Sequence, residues 1–113
     1  MTAYSQQAVV EGLIYSQLGA DEDLAELIDL FVSEIPDRLA ILQRLAENGQ
    51  YDALARYAHQ LKGAGGSYGF PQLTAVAASL ERAAKARLTV ADLTAAWTQL
   101  ADVAGRLRAH PVG

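Results

Sequence analysis

Cysteine is absent from this 113-residue chain, which rules out disulfide frameworks and thiolate metal sites. Also missing is any apolar run near the ~18–20 residues that a membrane span requires. The opening MTAYSQQAVVEGL lacks the basic-then-apolar layout of a secretory signal. A cytoplasmic protein with no membrane partner is expected, and since the chain begins at Met1 it is expected to be a complete small protein. Basic charge is scarce: 9 Lys and Arg stand against 13 Asp and Glu, a formal net charge of −4. A nucleic-acid binder would need a basic stripe that this composition does not favour. Internal repeats and low-complexity segments are lacking too.

What remains is an ordinary globular composition, 51% hydrophobic and 19% charged, on a chain long enough for one core and too short for two. A single domain over residues 1–113 is therefore expected. Alanine and leucine make up about a third of the residues, which favours helix throughout. A short helix is expected over roughly Ser5 to Leu18, stopped by Gly19. Asp21 then caps a long helix whose apolar stripe runs through Leu24, Leu27, Ile28, Phe31, Ile35, Leu39, Leu42 and Leu45, up to Asn48-Gly49. Pro36 interrupts it; because the stripe stays in phase, a kink is favoured over a junction between two helices. A third helix starts near Gln50 or Tyr51 and stops at Gly69. A fourth spans about Pro71 to Arg87, with Pro71 in its first turn. Thr89 caps the last, which turns Leu93, Trp97, Leu100, Ala104 and Leu107 inward, and AHPVG, with His110, frays as a tail. The short connections imply an all-α fold, an antiparallel up-and-down four-helix bundle over about residues 21–109 with a short extra N-terminal helix.

The third helix carries HQLKGAGGSYG, in which four glycines follow the one histidine that lies away from a terminus. At about 100° per residue, Leu54, Tyr57, Ala58, Leu61, Gly65 and Tyr68 form its inward face. His59 falls on the opposite side, together with Asp52, Ala55, Arg56, Lys62, Gly63 and Gly66. Arg56 and Lys62 lie one turn before and after the imidazole, and Gly63 and Gly66 leave the surface beyond it bare. Each interior glycine costs about 0.5–1 kcal/mol relative to alanine, so a cluster of them beside an exposed histidine points to access.

A neutral imidazole is a nucleophile, and one with the ordinary pKa of ~6.5 is mostly neutral at cellular pH. Two nearby cations suit a phosphoryl group of charge near −2. No carboxylate pair adjoins His59 to hold magnesium, and there is no Walker-type loop and no nucleophile–base–acid set. Without a second histidine or acid one turn on, His59 is also a poor metal ligand. The pattern fits a docking point for phosphate whose catalysis comes from a partner.

AHQLKGAGGSYGF resembles the phosphoacceptor motif of histidine-containing phosphotransfer (HPt) domains, H-x-L-K-G with a further glycine six residues after the first. His59, Leu61, Lys62, Gly63 and Gly69 match it in place. LIDLFVSEIPDRLAILQRLAENGQYDALARYAHQLKG is similar to the family's long helix, acid-rich turn and histidine helix, and LTAVAASLERAA to its next helix, so the resemblance covers about Asp21 to Arg87. It implies a phosphocarrier without kinase or phosphatase activity. His59 would receive a phosphoryl group from the aspartate of one response-regulator receiver domain and pass it to another, fed by a hybrid or conventional histidine kinase. Lys62 would stabilise the phosphoryl charge, and Gly63 and Gly66 would admit the receiver's acidic pocket. The protein would need no cofactor of its own, the Mg2+ belonging to the receiver. Chemotaxis kinases carry in their histidine-bearing domain a glutamate, at the distance of Glu81 from His59, that hydrogen-bonds the inner ring nitrogen; the competing reading of Glu81 is a solvated side chain on the fourth helix. Arg56 follows from helix geometry alone. The competing functions are a helical adaptor that binds receivers without transferring phosphate, and the phosphoacceptor module of a larger histidine kinase.

Overall fold

A computed structural model describes residues 12–110. Four helices dominate: α1 (Glu22–Glu47), α2 (Tyr51–Ser67), α3 (Pro71–Lys85) and α4 (Val90–Gly105). Each packs on its neighbours in the chain, and α4 returns to α1, so the helices close a ring around one core. That core is aliphatic and alanine-rich, built on Ile28, Leu42, Leu54, Leu61, Leu73, Leu80 and Leu100, all at most 1% exposed. Phe31 stacks on Tyr68 with ring centroids 4.7 Å apart and lies 6.2 Å from Phe70, which locks the far ends of α1 and α2 together.

The helix boundaries follow from local chemistry. The Asp21 carboxylate accepts from the amide of Asp23 at 2.9 Å, and the Thr89 hydroxyl from that of Asp92 at 3.2 Å. α1, α2 and α3 all end in the same way, with a left-handed residue after the cap and a backbone bond reaching back five residues. Gln50 donates to Leu45 at 2.9 Å, Phe70 to Gly65 at 2.8 Å and Leu88 to Ala83 at 3.1 Å. Gly49 and Gly69 take the left-handed position in the first two (φ 69° and 82°), but Arg87 takes it in the third at φ 50°, which is why α3 ends at Lys85, short of Arg87. Pro36 lies inside α1, so one helix passes through it and the junction between two helices is excluded.

Four expectations need correction. The helix over Ser5–Leu18 falls partly outside the described residues. From Ile14 on it is replaced by a strand, β1 (Ile14–Tyr15), parallel to β2 (Leu107–Arg108), and by a turn. Two residues per strand are too few for a period-2 signal, so the apolar spacing of the segment read as helix. Leu107 accordingly points inward from a strand, not from the last helix. Nor does the tail fray over its described part: Ala109 is buried and His110 Nε2 lies 3.6 Å from Asp29 Oδ2. Leu27, assigned to the apolar stripe of α1, is 49% exposed, because it lies at the edge of the arc that α2 and α4 cover.

Candidate functional site

α2 and α3 approach each other unusually closely beside the glycines. A Cβ on Gly65 would stand 2.8 Å from Thr74 Oγ1 and 3.1 Å from the Thr74 amide nitrogen, so only glycine fits there. The Thr74 hydroxyl donates to the Lys62 carbonyl at 3.0 Å and stitches α3 to α2 next to the motif. Half of the buried residues of α3 are alanines, Ala77, Ala83 and Ala84. This close packing also buries Ala55, which the helical wheel of α2 alone puts on the water-facing side. The wheel is blind to how far around α2 its neighbour reaches.

His59 does point outward, its side chain 63% exposed. Beneath it lies Glu81, only 5% exposed although ionisable. Its carboxylate meets three donors: Oε2 lies 3.0 Å from His59 Nδ1 and 2.8 Å from Lys85 Nζ, and Oε1 is 2.9 Å from Lys62 Nζ. A buried carboxylate is tolerated when its lone pairs are filled in this way. Lys85 first, then Lys62, pull the Glu81 pKa down to about 2, against the opposing effect of burial, with a smaller contribution from His59. Glu81 is therefore an anion at any cellular pH. An anion can only accept, so the ring presents an Nδ1–H to it, and the other nitrogen, Nε2, with a free lone pair in the neutral form of imidazole, lies on the exposed side. That is the geometry of a nucleophile held by a buried base-side partner and open to an incoming electrophile.

The Hpt domain family model matches residues 26–110. The chain belongs to that family. Compared with curated proteins and with solved structures, it finds no match in either set. Hpt domains are phosphocarriers of two-component signalling, which interact with receiver domains and histidine kinases and are not enzymes in themselves. Among the described residues of this Hpt domain, no helix is long and apolar enough to cross a membrane.

Of the residues singled out from the sequence of this Hpt domain, His59, Lys62 and Glu81 meet in one cluster. Glu81 is buried against the His59 ring, not a solvated side chain. Gly63 opens onto free space, with nothing within 4 Å of a Cβ built there, and Gly66 has only Thr74 Oγ1 at 3.8 Å. Arg56 joins His59 and Lys85 in lining a depression of about 540 Å³, and its side chain makes no hydrogen bond or ion pair among the described residues. Sequence reasoning missed Lys85. The signal was there: Glu81 lies in the apolar stripe of α3 between Ala77, Leu80 and Ala84, and Lys85 follows it by four residues, the spacing of a helical ion pair.

Proposed function

We propose that this Hpt domain is a phosphorelay intermediate that accepts a phosphoryl group on His59 Nε2 from the aspartate of one receiver domain and returns it to the aspartate of another. The observation that carries this reading is the 3.0 Å contact between His59 Nδ1 and buried, ionised Glu81, on a ring that is otherwise exposed. In the forward step the Nε2 lone pair forms the N–P bond. The P–O bond to the receiver's aspartate breaks, and its electron pair stays on the aspartate carboxylate. The proton remains on Nδ1, where the positive charge that develops on the ring faces Glu81. The reverse step releases a neutral imidazole as leaving group, so the same carboxylate serves both directions.

Lys62 offsets phosphoryl charge from the Glu81 side, Arg56 from the open depression, and Gly63 and Gly66 leave room for the receiver surface. Magnesium is assigned to the receiver's acidic pocket and no cofactor to this chain. The short connections between helices support an antiparallel up-and-down bundle, and the domain is read as a single cytoplasmic unit without nucleic-acid or membrane partners.

The test is incubation with each phosphorylated receiver of the same organism. An acid-labile, base-stable phosphate should appear on the protein and vanish with His59→Gln. Label that persisted in His59→Gln would move the site elsewhere. A receiver that binds without losing its phosphate would make the protein an adaptor.

A further inference from the structure

His59 and Lys85 share one oxygen of Glu81, while Lys62 occupies the other. The Lys85 ammonium therefore lies closer to the inner ring nitrogen than the sum of those two short contacts. Its side chain is 66% exposed, against 33% for Lys62, so it leaves its place with less rearrangement of packed neighbours. It also lines the open depression together with His59 and Arg56, which Lys62 does not. Around that depression the other acid, Asp52, is paired with Arg87 at 3.0 Å, so the charge left facing an incoming group is cationic.

We propose that Lys85 is a second phosphoryl-binding cation, parked on Glu81 in the unphosphorylated protein and transferred to the phosphoryl oxygens once His59 is modified, while Lys62 stays on Glu81. This rests on the phosphoacceptor reading of His59. The driving force is charge. A group near −2 on the exposed side of the ring outcompetes half a carboxylate already shared with an imidazole and another lysine. The flexible four-carbon stem of a lysine on the adjacent helix spans the shift from one side of the ring to the other. The exchange has a further consequence: when Lys85 leaves Oε2, Glu81 faces the phosphorylated ring with one competitor fewer, and its hold on the Nδ1 proton strengthens when the ring is most positive.

The experiment measures the equilibrium between the protein and the receiver that labels it, with the wild type and with Lys85→Met, Lys85→Arg and Lys62→Met. Loss of one charge-assisted contact to phosphate should shift the Lys85→Met equilibrium about 3- to 10-fold toward the receiver. Lys85→Arg should restore most of it. In parallel, the side-chain NMR signals of Lys85 should move on phosphorylation more than those of Lys62, a response that a merely structural lysine would not give. Transfer to Lys85→Met at the wild-type equilibrium, or a Lys85 signal that stays put, would overturn the exchange while leaving the phosphoacceptor assignment intact. If the wild type takes no label from any receiver, the underlying reading fails and the exchange goes with it.

Discussion

Lys85 Nζ and His59 Nδ1 converge on a single oxygen, Oε2 of Glu81, at 2.8 and 3.0 Å. A carboxylate buried to this degree and shared in this way couples the protonation geometry of the exposed ring to the packing of α2 against α3. Its consequences are measurable in the tautomer of the ring, in acid stability and in the tolerance of the neighbouring glycines.

Glu81→Gln replaces an obligate acceptor by an amide that either accepts or donates, so the preference for a proton on Nδ1 should weaken. Nitrogen chemical shifts of His59 at neutral pH should show a wild-type ring protonated predominantly at Nδ1 and a mixed population in the variant. Phosphorylation should slow by about 10-fold or more, in keeping with the loss of a positioned charge partner in the transfer step.

The same carboxylate sets an acid limit on stability. Its folded pKa of about 2 lies below the unfolded value near 4.5, so its contribution is complete above 4.5 and declines as the pH falls toward 2. A gap on the order of 3 kcal/mol between wild type and Glu81→Gln is expected at pH 6. Urea midpoints should show that gap constant down to about pH 5 and closing between 4.5 and 2.

Gly63 and Gly65, two residues apart, should respond to alanine with opposite signs. Nothing lies within 4 Å of a Cβ at Gly63, so Gly63→Ala should raise stability by about 0.5–1 kcal/mol through better helix propensity. At Gly65 the added methyl meets Thr74 at 2.8 Å, and Gly65→Ala should cost about 1–3 kcal/mol as α3 is pushed away. A larger Gly63→Gln should keep the thermal midpoint while reducing transfer from a receiver, which separates access from folding.

Phe31 links α1 to the ends of α2 and α3 through Tyr68 and Phe70 and is 2% exposed. Phe31→Ala should cost about 3–5 kcal/mol, a large share of the ~5–15 kcal/mol of a small domain. Since Phe31 is absent from the His59 cluster, the fraction that stays folded should still take phosphate. Calorimetry together with a labelling assay below the midpoint checks both statements.

The helices were legible in the chain because their signals are local. Asp21 and Thr89 cap, Gly49 and Gly69 stop, and the apolar residues recur at the helical period whatever lies across from them. The outward direction of His59 followed from the same period, since one helix fixes which residues oppose its own apolar stripe. Glu81 could be named from the sequence only through a family likeness, and Lys85 was not named at all. The burial of Ala55 and the β1–β2 ladder were equally invisible. Each of these depends on partners far along the chain, such as His59 and Glu81, 22 positions apart, whose meeting is set by the azimuth and register at which α2 and α3 pack. Sequence by itself determined that His59 points away from the apolar stripe of α2 and that Gly49 and Gly69 stop α1 and α2. Only the tertiary structure decided that a glutamate would be buried beneath that face with two lysines and an imidazole on it, because the stripe of α3 specifies that something packs there, not which donors the neighbouring helix brings within reach.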